Sequence, residues 1–171
     1  MRSVGIDPGS KGAIVLLDSD RGTLKAWNLP IITEQRATTT KKVLDAVKFL
    51  DILEECGVGE PDCQVHLEDV FSMPTDGHVG AFTFGMNKGA LVACIMAMGS
   101  EINYVQPRKW KSDMGCTSDK HQTRKVAQGL LPDAKKALTN EGKHEAALIA
   151  LWGLISSGGA YPTRKVRFAA V

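Results

Sequence analysis

Short apolar runs closed by turn residues occupy the first thirty positions, and stretches of helical period occupy much of the chain beyond them. Val4-Gly5-Ile6 ends in Asp7; Pro8-Gly9-Ser10-Lys11-Gly12 reverses the chain, and Ala13 leads into Ile14-Val15-Leu16-Leu17. That is a β-hairpin pattern. After a polar turn at residues 18–22, Thr23-Leu24-Lys25-Ala26-Trp27 alternates as a third strand, so the first three strands form an antiparallel meander. Residues 31–40 are polar and Thr-rich and read as a loop. From about Thr40, Val43, Val47, Leu50 and Leu53 recur at helical spacing as far as Gly57. Residues 65–70 read as a fourth strand, residues 79–98 as a helix, and residues 102–106 as a fifth strand. Residues 118–131 and 139–154 are further helices, the last almost wholly apolar from Ala146 and therefore packed on the sheet. Gly80, Gly85 and Gly89 lie in the helix at 79–98. Glycine weakens a helix, so three of them point either to close approach of another backbone or subunit, or to an irregular first half.

The acids in this pattern are awkwardly placed. Asp7 ends an apolar strand, where burial is costly unless a bound cation or a phosphate-bound metal offsets its charge. Capping the Pro-Gly turn is the alternative. Glu68 and Asp69 are neighbours in a strand and point to opposite faces, so at most one of them lies beside Asp7. Glu141 and Glu145 are four apart and share one face of the last helix. Like charges at that spacing repel, and a cation between them turns repulsion into ligation; a plain preference for the helix N-terminus is the other reading. Glu145 enters the core beside small and apolar residues, which favours ligation, and His144 is a further candidate on that turn as ligand or proton carrier. Arg108-Lys109-Trp110-Lys111 is a basic cluster around an aromatic, and Lys120 and Arg124 share a helix face, which suits phosphate contact.

Composition narrows the class. With 171 residues, 43% hydrophobic and 23% charged, the chain suits one globular domain, residues 1–160, and a basic tail, 161–171, with Arg164, Lys165 and Arg167. Secretory patterning is missing at the start, and the apolar run at 90–98 is too short to span a bilayer, so no membrane role is expected. Cys56, Cys63, Cys94 and Cys116 show no C-x-x-C spacing and read as reduced thiols, not a zinc site. Residues 1–100 hold 9 basic against 13 acidic side chains, and residues 101–171 hold 12 against 6. Acids gathered around cations and bases around phosphates would give that asymmetry.

Four motifs in order resemble the RuvC-type Holliday junction resolvases of the RNase H-like superfamily, closest in flavour to the short phage and chloroplast type. They are Gly5-Ile6-Asp7-Pro8-Gly9-x-x-Gly12-Ala13, Leu67-Glu68-x-x-Phe71, Trp110-Lys111 followed by Lys120 to Arg124, and Glu145-Ala146-Ala147-Leu148-Ile149-Ala150. The resemblance implies an α/β, RNase H-like fold: a five-stranded mixed sheet of a three-strand antiparallel meander plus two parallel strands, flanked by helices. It implies a homodimer that makes paired symmetric nicks in four-way DNA junctions. Asp7, Glu68 and Glu145 match the family's metal-binding carboxylates, Phe71 an aromatic that engages bases at the crossover, and Lys120 a basic residue near the scissile phosphate. The bacterial pattern spaces its last two ligands three apart, but Gly142 stands at that position, which leaves the fourth ligand between Glu141 and His144. Lys109, Lys111, Arg124 and Lys143 complete the expected DNA contacts.

Carboxylate oxygens are hard ligands, so Mg²⁺ is expected, two ions per site, with Mn²⁺ as substitute. The location expected is cytoplasmic in a bacterial or phage-infected cell, or an organelle matrix in a eukaryote. Three rivals stand beside this reading. One is an RNase H-like nuclease for other branched DNA, duplex or RNA–DNA hybrid; another is a branched-DNA-binding protein that does not cut. The last is a nucleotide-binding domain of the actin and sugar-kinase type, which the single-domain length and the missing Walker A sequence count against.

Overall fold

The computed structural model describes residues 1–35, 40–72, 77–117 and 119–160; the basic tail expected at 161–171 lies outside them. Two strands, β1 (Arg2–Asp7) and β2 (Ala13–Asp18), are so apolar that nearly every position is buried on one face or the other. Such strands belong in the middle of a sheet covered on both sides. They pair antiparallel from Arg2 against Asp18 to Asp7 against Ala13. The alternating strand β3 (Thr23–Asn28) adds antiparallel to β2. β6 (Cys63–Glu68) pairs parallel with β1, and β7 (Ile102–Val105) parallel with β6. The order is β3-β2-β1-β6-β7, the expected meander plus two parallel strands.

Residues 31–35 and 40–44 differ from the sequence reading. Instead of a polar loop running into a helix they form a second small sheet, β4 (Ile31–Gln35) antiparallel to β5 (Thr40–Leu44). Val43 and Leu44 belong to that strand and are buried. The helix α1 (Ala46–Cys56) starts later because the Asp45 carboxylate accepts from the Lys48 N–H and caps it. Its buried face is Phe49, Ile52, Leu53 and Cys56, and Val47, included in the helical spacing, is 72% exposed.

The sheet alternates its side chains between two cores. Val15 and Leu17 face α5 (Glu141–Ser156), whereas Ile14 and Leu16 face α1 and α2 (Gly77–Ala97). On the first side α5 lies directly on β1. Gly5 permits this: a Cβ there would stand 2.2 Å from the Ala146 carbonyl oxygen and 2.4 Å from the Ala150 nitrogen. α3 (Pro107–Asp113) and α4 (Lys120–Leu130) complete that layer; the basic cluster around Trp110 is therefore a short helix begun by Pro107, and Trp110 itself is fully buried.

On the other side α2 covers the sheet thinly. Leu91 and Ile95 are its only fully buried residues among those described. By length and composition the whole helix is apolar enough to cross a membrane, a feature the shorter run at 90–98 does not reveal, and 17% of that apolar window is buried in the fold. Among the described residues, nothing beyond the helix's own backbone and the adjoining residues comes within 4 Å of a Cβ built at Gly85 or Gly89. Close approach of another described backbone segment therefore does not account for these two glycines.

Candidate active site

Asp7 ends β1, Glu68 ends β6 beside it, and Glu145 lies in the second turn of α5, which crosses β1 at Gly5. Each offers a carboxylate oxygen within 4.8 Å of the other two, the one such group of His, Cys, Asp or Glu among the described residues. Neither Glu141 nor His144 belongs to it.

Each acid is held by a neighbour. The Gly9 N–H donates to Asp7 Oδ1 at 3.0 Å. The indole Nε1–H of Trp110 donates to Glu68 Oε1 at 2.8 Å inside the core. Lys111 Nζ lies 3.0 Å from Glu145 Oε1 with both side chains mostly buried. The sequence shows Trp110 and Lys111 as part of a basic cluster around an aromatic, with Lys111 among the expected DNA contacts; in the fold Trp110 donates to Glu68 and Lys111 pairs with Glu145. Pro107 directly after a strand signals the start of a helix, but not which way Trp110 faces.

Burial pushes the Asp7 carboxyl up to about 6, against the Gly9 hydrogen bond and with help from the charge of Glu145. Burial likewise pushes Glu68 up to about 7, against the Trp110 hydrogen bond, with Asp7 and Glu145 adding to the rise. For Lys111 burial opposes the ammonium, yet the hydrogen bond to Glu145 and the charges of Glu145, Glu68 and Asp7 prevail and hold its pKa above the usual lysine value. Three carboxylates at this spacing, two of them hard to ionise without a countercharge, fit the oxygen-donor set of a divalent cation.

Beside the cluster a cleft of about 590 Å³ is lined by Asp7, the turn at Gly9 to Gly12, Lys120 and Glu141. Glu141 stands at its rim, paired with the exposed Lys120 at 2.6 Å. His144 is buried and does not line that cleft. It is 4% exposed, its Nε2 has no partner, and burial and the nearby Arg124 charge lower its pKa. Glu68 and Asp69 do point apart, as their adjacency requires: Asp69 pairs with Lys88 at 3.2 Å. Phe71 is 73% exposed, and Lys109, Arg124 and Lys120 are exposed, with Lys143 partly so. Lys109 pairs with Asp113 at 2.6 Å.

No protein-family model matches the chain. Two solved structures of Thermus thermophilus RuvC superpose along almost its whole length. One, with a TM-score of 0.61 at 20% identity, covers 95% of this chain and 99% of that one. The other, RuvC in complex with a Holliday junction substrate, has a TM-score of 0.60 at 19% identity and covers 92% and 96%. The chain has the RuvC fold. The RNase H-like sheet expected from the motifs is thus the one observed, and RuvC shares it. A Chlamydomonas reinhardtii protein, the chloroplastic Holliday junction resolvase MOC1, is 30% identical over 87 residues, 48% of this chain and 10% of that protein. The match therefore spans about a tenth of the length of that relative. This fold brings the three acids the motifs nominate, Asp7, Glu68 and Glu145, to one point, and neither Glu141 nor His144 joins them.

Proposed function

We propose that the chain is a structure-selective endodeoxyribonuclease that resolves four-way DNA junctions by paired symmetric nicks. The observation that carries this reading is the Asp7, Glu68 and Glu145 cluster on a RuvC fold. Asp7, Glu68 and Glu145 would hold two Mg²⁺ ions, or Mn²⁺ in their place, with Glu141 within reach as a further ligand and His144 set aside by its inward burial. Bound there, the ions supply Lewis-acid activation of the attacking water and charge relief at the leaving oxygen. The chain's own side chains do the rest. Gly9, Trp110 and Lys111 fix the rotamers of the three acids before substrate arrives, which removes reorganisation from the chemical step. Lys120 is exposed at the cleft rim and can exchange Glu141 for a phosphate oxygen. Lys109, Arg124 and Lys143 offer charge to the backbone of the arms, and Phe71 a ring to the bases at the branch.

A homodimer gives two such sites related by a two-fold axis, as symmetric nicking needs. The thinly covered outer face of α2, with Phe82 and Val79 mostly exposed, is the surface we assign to the second copy. Residues 1–160 serve as the nuclease domain and 161–171 as a basic extension. The chloroplastic name of the relative supports an organelle for a eukaryotic source, with the cytoplasm as the bacterial or phage alternative.

The test is a labelled mobile junction incubated with Mg²⁺ beside linear duplex, flap and RNA–DNA hybrid. Symmetric nicks confined to the junction are expected. Preferred cutting of hybrid or duplex moves the assignment to another RNase H-like nuclease, and no product with any divalent ion makes the chain a binding protein.

Lys111 yields a separate prediction. In the metal-free protein it is the countercharge of the acid cluster, so Lys111→Met costs about 2 kcal/mol of stability at pH 7.5, since an unpaired buried charge is left behind. Mg²⁺ restores more of the melting temperature in this variant than in the wild type. Equal melting of the two proteins without metal would show that Lys111 does not play this part.

A further inference from the structure

One group of side chains beside the acids has no part in the metal site. Three residues past Glu68, Phe71 stands 73% exposed, and Tyr104, next to Val105 at the end of β7, is 52% exposed. Val105 is the register partner of Glu68, so both rings lie at the strand ends that carry the carboxylate. Lys88 of α2 joins them. It donates to the Val70 carbonyl oxygen at 2.8 Å and to Asp69 Oδ1 at 3.2 Å, and its side chain is 17% exposed. Its ammonium lies 4.6 Å from the centre of the Phe71 ring and 6.0 Å from that of Tyr104. A cation at these distances attracts the faces of both rings. The chain thus spends a mostly buried lysine on holding two aromatics that bury little surface of their own. An aromatic with one face on a cation and the other in water is a platform for a flat, electron-rich partner, and the lysine adds attraction for a polyanion.

We propose that Phe71 and Tyr104 form a paired stacking surface for an unpaired nucleobase of branched DNA, with Lys88 as the residue that positions them. This rests on the nuclease reading above and adds two residues to it. Asp69 then has a defined part: it anchors Lys88 on the face of β6 opposite Glu68, so one strand end sets both the cutting site and the stacking surface.

The experiment measures binding of the full chain to a four-way junction and to linear duplex, without divalent ions, for the wild type and for Tyr104→Ala, Phe71→Ala, the double variant, Lys88→Met and Lys88→Arg. Tyr104→Ala should bind the junction about tenfold more weakly, within the range of one base stack, and bind duplex as the wild type does. The double variant should lose less than the product of the two single losses, since both rings serve one base. Lys88→Met should match Phe71→Ala, and Lys88→Arg should restore binding, because a guanidinium both stacks and donates. Unchanged junction binding by Tyr104→Ala overturns the proposal, as does an equal loss on duplex. A shift of Tyr104→Ala from dimer to monomer in sedimentation overturns it too, by making the rings a subunit contact. A wild type that does not prefer junction to duplex overturns the nuclease reading and the stacking surface together; a wild type that does, with Tyr104→Ala intact, overturns the stacking surface alone.

Discussion

Asp7→Asn should lower junction cleavage about 10³-fold, the scale of losing a preorganised charged group at a reacting centre, while junction binding persists. The same variant should melt higher than the wild type when metal is absent at pH 8. Both follow from one cause. The Asp7 carboxyl titrates at about 6 in the fold against 3.8 in an unfolded chain. A raised carboxyl makes its full contribution to stability below the unfolded value, where both states are protonated. Between about pH 4 and pH 6 the native state binds more protons than the unfolded state, so stability falls as pH rises. Above about 6 the loss is complete, roughly 2–3 kcal/mol for a difference of this size. Glu68, at about 7, extends the same decline toward neutrality.

Asparagine keeps an oxygen to accept from the Gly9 N–H but brings no charge, so it removes the penalty without removing the turn. Thermal melts from pH 4 to pH 8 with a chelator should therefore slope downward for the wild type and more gently for Asp7→Asn. Adding Mg²⁺ should raise the wild type at pH 8 and leave the variant nearly unmoved. Cleavage by Asp7→Asn within tenfold of the wild type, or a lower melting temperature across the whole range, would remove Asp7 from the metal site.

The acids were legible in the sequence because a carboxylate in an apolar strand or at the entry of an apolar helix is costly, and cost is visible without coordinates. The meander and the parallel strands were legible for a related reason, since buried strands are short, apolar and punctuated by turns. What supports the acids was hidden. Trp110 and Lys111 read only as a basic cluster around an aromatic, because composition cannot tell which way a four-residue stretch faces, and their partners lie 42 and 34 positions away. The hairpin of β4 and β5 was missed because Val43 happens to continue the helical spacing of α1, and only the Asp45 cap shows where the helix begins. Lys88 and Tyr104 gave no signal at all: their meeting with Phe71 is a product of how α2 and β7 pack.

Gly142→Asp should reduce cleavage about 100-fold and cost about 3 kcal/mol of stability, the range of a severe overpacking change, even though it creates the ligand spacing of the bacterial pattern. A Cβ at residue 142 would lie 2.4 Å from the Lys11 carbonyl oxygen and 3.0 Å from the Gly12 Cα. Those are backbone atoms of the turn between β1 and β2, and no rotamer change moves them aside. The first turn of α5 must then retreat from the turn that carries Asp7, and Glu145, one turn further along, retreats with it. The added carboxylate would also join a cluster that already holds three acids against one lysine. Glu141 faces none of these obstacles. Its side chain is 44% exposed at the cleft rim, so Glu141→Ala should leave the melting temperature within a degree or two while lowering cleavage about tenfold if it supplies the fourth oxygen. The two variants, measured by thermal melts and junction nicking, separate the possibilities. A stable, active Gly142→Asp beside an unaffected Glu141→Ala would mean that the fourth ligand belongs at residue 142 and that the close contact with Lys11 is not what excludes it.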